Sequence, residues 1–426
     1  MTEEDIAYFR ENEGYRRIFE GIREKHYSLG RFGGTITLEG VTKEERETLT
    51  SHLRREFYGM EDITFSVREF EASLVDTRFH IYSLKEVLES YFGEPLTTRR
   101  ESEERALRER YDFFKKLYNE YRGQAGEKWL EAIIQGEALG LKRIMQLYNV
   151  NTDVSEQYIR CTCEALENLP YLEGKFKRLP VFASWITRDP HTFDMGTLGG
   201  TLLLDAICTT QGIGGYSSSE DKIEILYRVG ILMDEVSNYV TLSGLIAYRN
   251  GRPHPVWEAA YNEKEPLQVP LMNIHSIDNV VSPRGEVFVV ENPGVFSAII
   301  DAFESYIPPL ICTYGQVKLA SLLILDKLTE EGCRVYYSGD FDPEGIAIAD
   351  RLYGRYGSSI IMWRYTTKDY RKALSENIIS DRSRFKPLAN LKCEVLKPVA
   401  QEMTRIGKAG YQEIILDNLI SDIKSR

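Results

Sequence analysis

An α/β architecture joined to a large helical region is the fold class that this 426-residue sequence predicts, and three patterns predict it. After residue 285, continuous apolar runs bounded by glycine and proline alternate with amphipathic segments. That is the signature of a parallel sheet with helices on both faces. Between residues 126 and 248 the pattern is mainly helical. In the first 95 residues short helices alternate with small strands, which predicts a winged-helix-like module. A chain this long exceeds one core, and the changes of rhythm divide it into 1–95, 96–265 and 266–426.

Taken in order, residues 4–29 read as helix and GRFGGTITLEG (30–40) as a turn and a short strand. TKEERETLTSHLRREF (42–57) is a helix with Thr42 as N-cap and Glu45 three residues later, the capping-box spacing. DITFSVREFEASLVDT (62–77) is a strand followed by a helix. Residues 95–122 form a long charged helix with Tyr111, Phe114 and Tyr118 near helical spacing, placed to connect two domains. The helical middle region includes KIEILYRVGILMDEVSNYV (222–240). Cys161 and Cys163 lie two apart on one of its helices and so face different ways, which argues against a metal pair. His191 follows Asp-Pro in a loop with no second ligand nearby and is read as structural.

In the last third, GEVFVVENP (285–293), PPLICTYGQ (308–316), CRVYYSGDFD (333–342) and SSIIMWRYT (358–366) are strands. VKLASLLILDKLTEEG (317–332) is a helix with Val317, Ala320, Ile324 and Leu328 on one face and Gly332 as its stop. PEGIAIADRLYGRYG (343–357) is a helix with Pro343 in its first turn.

The net charge of −12 argues against a free-standing nucleic-acid binder; an acidic chain holds DNA through local basic patches and metals, or is delivered by a partner. Arg54, Arg55, Lys175, Lys177, Arg178 and Lys318 are the basic groups expected to meet phosphates. For Arg54 and Arg55 a solvated helix face is the other reading. No apolar run is long enough to span a membrane. The start, MTEEDIAYFR, is acidic and polar and lacks a secretory signal. Six scattered cysteines without a C-x-x-C pair predict reduced thiols and a cytoplasmic protein.

The chemistry concentrates where two apolar strands run out. Glu291 ends one, and Asp340 and Asp342 end another, in VYYSGDFDPEG (335–345). In a parallel sheet both ends lie on the edge where active residues gather. Three carboxylates with no lysine in the same motifs repel one another, and a divalent cation removes that penalty. Magnesium suits such a site because it takes a few carboxylates, keeps waters and coordinates phosphate oxygens. One or two such ions activate water at a phosphodiester. The competing reading is a turn with an Asx hydrogen bond and a helix N-cap.

A strand-end glutamate followed by D-x-D on a later strand resembles the TOPRIM domain of topoisomerases, primases and OLD-type nucleases. More narrowly, VVENPGVFSAI, TYGQVKLASLLIL and YYSGDFDPEGIAIADRLY resemble the C-terminal TOPRIM-like domain of the JetD family, the nuclease subunits of Wadjet plasmid-defence systems. LGRFGGTITLEGVTKEERETL and RLPVFASWITRDPHTFDMGTLGGTLLLDAI are similar to the amino-terminal part of the branch in type III Wadjet clusters. The resemblance spans most of the chain. It implies a Mg²⁺- or Mn²⁺-dependent endonuclease that hydrolyses double-stranded circular plasmid DNA. It also implies a DNA-contacting N-terminal module, a homodimer, and an SMC–kleisin (condensin-like) partner complex. Under it, Glu291 is general acid/base and metal ligand, and Asp340 and Asp342 are metal ligands. Glu344 is either a further ligand or is turned away on the helix by Pro343.

Two other functions stay open. Relatives of the topoisomerase VI A subunit cut by tyrosine attack, and 26 tyrosines leave a transesterase possible, although none sits in a segment that aligns with the attacking position. The third reading is a non-catalytic DNA-docking subunit with a structural metal.

Overall fold

The computed structural model describes residues 1–426 apart from 75, 76, 78, 80, 81, 234 and 235. The end of the expected 62–77 helix and part of the expected 222–240 helix lie outside the described residues. The chain forms two compact units, Met1–Gly123 with Leu130–Gly136, and Gln124–Trp129 with Glu137–Arg426.

In the smaller unit, helices Glu3–Glu11, Arg16–Leu29, Lys43–Leu53, Val67–Ser73 and Leu84–Phe92 surround a two-stranded antiparallel sheet, Thr35–Leu38 with Ile63–Ser66. The capping box starts Lys43–Leu53 as the spacing predicts. The Thr42 hydroxyl accepts from the Glu45 amide (3.2 Å), and the Glu45 carboxylate accepts from the Thr42 amide (2.9 Å). Phe9, Ile18, Phe19, Leu49, Phe70 and Val87 share the core. His52 is buried within it, between the Tyr15 hydroxyl (2.8 Å) and the Ser73 hydroxyl (2.9 Å). The charged helix Arg99–Glu120 buries Phe114 and Leu117 while Tyr111 is exposed.

The larger unit begins helically, with Leu141–Val150, Thr152–Glu167, Leu179–Thr187, Leu198–Gln211 and Ser219–Arg228. The helix expected to run from 222 to 240 stops at Arg228. Gly230 has φ 81°, and a Cβ there would lie 2.6 Å from the Lys175 carbonyl oxygen. The chain then turns extended. Ile231–Leu232 pairs with Lys177–Arg178, and Tyr239–Ser243 joins the main sheet.

That sheet is mixed, which corrects the expectation of a purely parallel one. Its order is Ile360–Met362, Arg334–Ser338, Glu286–Val290, Leu310–Cys312, Tyr239–Ser243, Leu267–Pro270. The first four are parallel; the last two join through antiparallel pairings, so that Tyr239–Ser243, drawn from the region expected to be helical, is the one reversed strand. All five residues of Glu286–Val290 are buried, which is why that strand reads as a continuous apolar run.

Connection order creates a crevice. The chain leaves Glu286–Val290 toward Leu310–Cys312 on one side, and leaves Arg334–Ser338 toward Ile360–Met362 on the other. Right-handed crossovers then put the two following helices on opposite faces. Accordingly, Pro293–Asp301 packs with Leu416–Lys424, while Pro343–Tyr356 packs with Leu319–Glu330 through the Arg355–Asp326 ion pair (2.7 Å). Ligands bind in such crevices, at the carboxyl ends of the strands. Val290 lies opposite Ser338, so Glu291 and Gly339 emerge level on that edge.

The C-terminal segment supplies a third wall. Lys408–Gly410 pairs with Leu374–Ile378, and Gly410 exchanges two 2.9 Å backbone hydrogen bonds with Phe341, between the two aspartates. Among the described residues no helix is long and apolar enough to cross a membrane. The six cysteines are free thiols, all but Cys161 buried.

Candidate metal and phosphate site

Each carboxylate is held by the backbone around it. The Glu291 carboxylate turns back toward the neighbouring strand end, where Oε2 accepts from the Asp340 amide (3.2 Å). Gly339 permits this. A Cβ there would lie 2.6 Å from Glu291 Oε2, 2.9 Å from the Tyr365 hydroxyl and 3.0 Å from the Tyr337 hydroxyl. Asp340 Oδ1 accepts from the Gln412 amide of the C-terminal segment (2.9 Å). Asp342 Oδ1 caps helix Pro343–Tyr356 by accepting from the Gly345 amide (2.7 Å). The N-cap reading of the D-x-D is therefore correct for Asp342, and it leaves Oδ2 of the same carboxylate outside the cap.

The sequence did not reveal four other members of the site. Glu413 brings a further carboxylate and accepts from Asn292 Nδ2 (2.5 Å). Gln412 binds Asp340 through its own amide and accepts from the Asn292 amide through Oε1 (3.3 Å). Tyr337 and Tyr365 lie behind the carboxylates, fully buried and stacked 6.3 Å apart.

The electrostatics are those of an uncompensated acidic cluster. Burial pushes Glu291 up to about 7, and the charges of Asp340, Asp342 and Glu413 push the same way against the Asp340 amide. Burial likewise raises Asp340 to about 6, helped by Glu413 and Asp342. Asp342 is raised by burial too, with the Gly345 amide and Arg384 opposing. Among the described residues, no Lys, Arg or His pairs with Glu291, Asp340 or Glu413; Asp342 has one cationic neighbour, Arg384, whose Nη2 lies 3.6 Å from Oδ2.

Four buried polar atoms without a hydrogen-bond partner among the described residues belong to this edge: the Tyr337 and Tyr365 hydroxyls, Thr313 Oγ1 and Gln412 Nε2. Buried polar atoms are nearly always paired, so an edge that holds four of them beside repelling carboxylates fits an oxygen-ligated cation and its waters. Among the described residues no three His, Cys, Asp or Glu side chains close into a ready-made cage. The carboxylates converge on one edge, with Glu291 folded back on the Asp340 amide.

The basic candidates fall in both units. Arg54 is the left-handed C-cap of Lys43–Leu53, and Arg55 pairs with Glu69 (2.8 Å), both in the smaller unit. In the larger unit Lys175 pairs with Glu173 (2.9 Å), Lys177 lies 3.5 Å from the Trp185 ring centroid, and Arg178 is the N-cap residue of Leu179–Thr187. Lys318 follows the sheet strand Leu310–Cys312, on the side of the sheet where the carboxylates emerge. It precedes helix Leu319–Glu330, lies over Tyr239 (3.9 Å) and donates to the Ser237 carbonyl (3.2 Å). His191 pairs with Asp194 in its loop (2.8 Å), a structural role.

Residues 32–247, half of the chain, match the family described as Protein of unknown function N-terminus (DUF3323). The chain belongs to that family. Residues 267–423 match a second family, Protein of unknown function C-terminus (DUF2399). In this two-part family member every carboxylate of the site falls in the DUF2399 portion. No curated protein matches the chain.

Proposed function

We propose that this protein is a Mg²⁺- or Mn²⁺-dependent DNA endonuclease, the TOPRIM-type nuclease subunit of a Wadjet-like SMC complex acting on circular plasmid DNA. One observation carries the reading: Glu291 and, one residue past the level Gly339, Asp340 leave adjacent parallel strands at the crevice, half-buried, with raised pKa values and no counter-cation among the described residues. The family pair supports it, since DUF3323 followed by DUF2399 is the domain arrangement known in JetD-like proteins.

Glu291, Asp340 and Asp342 would hold the cation, which when bound activates a water and offsets charge on the phosphodiester. Glu291 lies beside the place the cation would take and would serve as the general acid/base toward the attacking water or the leaving oxygen. The Asp340 and Gly345 amides fix the carboxylates, and Gln412 locks the C-terminal segment against them. A single chain carries one such set, so cutting both strands calls for a homodimer. The net charge of −12 opposes unaided approach to DNA, so delivery falls to the SMC–kleisin partner.

The test is nicking of supercoiled plasmid in Mg²⁺ or Mn²⁺, alone and with an SMC–kleisin complex added. Metal-dependent cleavage that disappears in Asp340→Ala supports the reading. Unchanged cleavage refutes it, and a denaturant-stable tyrosine–DNA adduct would establish the transesterase instead.

A further inference from the structure

Glu344 is the carboxylate whose role the sequence leaves undecided, and it has the hydrogen-bonded cationic partner that Glu291, Asp340 and Glu413 lack. Arg384 clamps it with two donors, Nε to Oε1 at 2.8 Å and Nη2 to Oε2. That contact holds Glu344 below the usual carboxylate range, opposite to its three neighbours. Arg384 belongs to the 3₁₀ segment Arg382–Asn390, which packs on helix Pro343–Tyr356, and its Nη2 lies 3.6 Å from Asp342 Oδ2. The side chain is 39 % exposed. Among the described residues Nη1 has no hydrogen-bond partner.

Stability does not explain this arrangement. An exposed ion pair contributes only about 0–1 kcal/mol, yet here it fixes a guanidinium against the D-x-D loop. Arginine presents its donors as a rigid fork, so fixing Nε and Nη2 on Glu344 also fixes the direction of Nη1. A phosphodiester entering a crevice lined by Glu291, Asp340, Asp342 and Glu413 needs a cationic contact on the protein side, and a charge-assisted N–H is a strong one.

The geometry points to Arg384 as a phosphate-binding residue of this site, aimed by Glu344, with Glu344 serving as its positioning residue rather than as a ligand of the cation. This rests on the phosphodiesterase reading above and adds a substrate contact to it. It leaves the cation to Glu291, Asp340 and Asp342.

The experiment compares Arg384→Ala, Arg384→Lys, Glu344→Gln and Asp340→Ala by three readouts. These are the Mn²⁺-induced shift in melting temperature of the protein alone, the salt dependence of binding to a short DNA duplex in Ca²⁺ from low ionic strength upward, and nicking in Mn²⁺ with the SMC–kleisin complex present. Arg384→Ala is expected to keep the Mn²⁺ shift, to flatten the salt slope by about 0.9 for one lost phosphate contact, and to slow nicking by about tenfold or more. Arg384→Lys restores part of the slope and less of the rate, because the fork is lost. Glu344→Gln keeps the Mn²⁺ shift and slows nicking. An unchanged slope in Arg384→Ala, or a Mn²⁺ shift lost in Glu344→Gln, overturns the assignment. Asp340→Ala reports on the underlying reading. If it alone loses the Mn²⁺ shift, the cation site stands whatever Arg384 does; if it keeps both shift and nicking, the reading falls and the assignment with it.

Discussion

The two compact units bury titratable groups in opposite ways. His52 in the smaller unit has a hydroxyl on each ring nitrogen, and burial drives its pKa down to about 4, so it sits neutral and satisfied in an aromatic core. Glu291 in the larger unit is driven up to about 7 among other acids, with unpaired buried hydroxyls nearby. Asp205, also in the larger unit, is an internal control. It is buried as deeply as any carboxylate of the edge, but Arg143 (2.6 Å) and the Tyr216 hydroxyl (2.8 Å) answer it. Burial alone therefore does not mark function. What distinguishes the strand edge is a charge that the chain does not neutralise itself.

The largest effect expected from this contrast is catalytic. Asp340→Ala should reduce Mg²⁺-dependent nicking by about 100-fold or more while leaving the metal-free melting temperature unchanged or higher, because a repelled buried carboxylate is gone. Asp205→Ala should do the reverse, lowering stability by about 2 kcal/mol through the orphaned Arg143 and Tyr216, with the response to Mn²⁺ retained. Plasmid nicking and thermal melting of both variants check the pair.

Next in size is pH. His52 carries a folded pKa below its unfolded 6.5, so the stability it contributes is present above about pH 6.5 and is lost as pH falls toward about 4. Glu291 carries a folded pKa above its unfolded 4.5. Without cation, its contribution is present below about pH 4.5 and is lost as pH rises through about 7, and Asp340 follows between 3.8 and about 6. Each shift corresponds to at most about 3.5 kcal/mol. Hydrogen exchange of the metal-free protein should show the smaller unit loosening in acid and the larger unit loosening toward neutrality, with Mn²⁺ reversing only the second. The same direction of change in both units would break the comparison.

Gly339→Ala is expected to be smaller and local. Its methyl would press on Glu291 Oε2 and both tyrosine hydroxyls, at a cost of about 1–3 kcal/mol, and would weaken Mn²⁺ binding by displacing Glu291. Melting with and without Mn²⁺ separates the two effects.

Much of this edge was legible in the sequence because its strands are buried on both faces. Apolar runs bounded by Gly285, Pro293 and Gly339 located Glu286–Val290 and Arg334–Ser338, and acidic residues directly after them drew attention to Glu291, Asp340 and Asp342. The third wall was not legible. Gly410 and Gln412 reach the D-x-D loop through backbone atoms, which leave no side-chain signature. Tyr239–Ser243 was hidden for a different reason. Its apolar residues continue a helical pattern, while the helix ends at Arg228, just before the positive φ of Gly230. The partner of Glu344 was equally hidden, since Arg384 lies in an irregular segment 40 residues away.

The most direct test is calorimetric titration of the purified protein with Mn²⁺ near pH 7, in buffers of different ionisation enthalpy. Saturable binding with proton release is expected, because Glu291 and Asp340 must ionise to take the cation. It should vanish in Asp340→Ala and persist in Asp205→Ala. Saturable binding that survives Asp340→Ala, or no binding by the unaltered protein, would contradict the account.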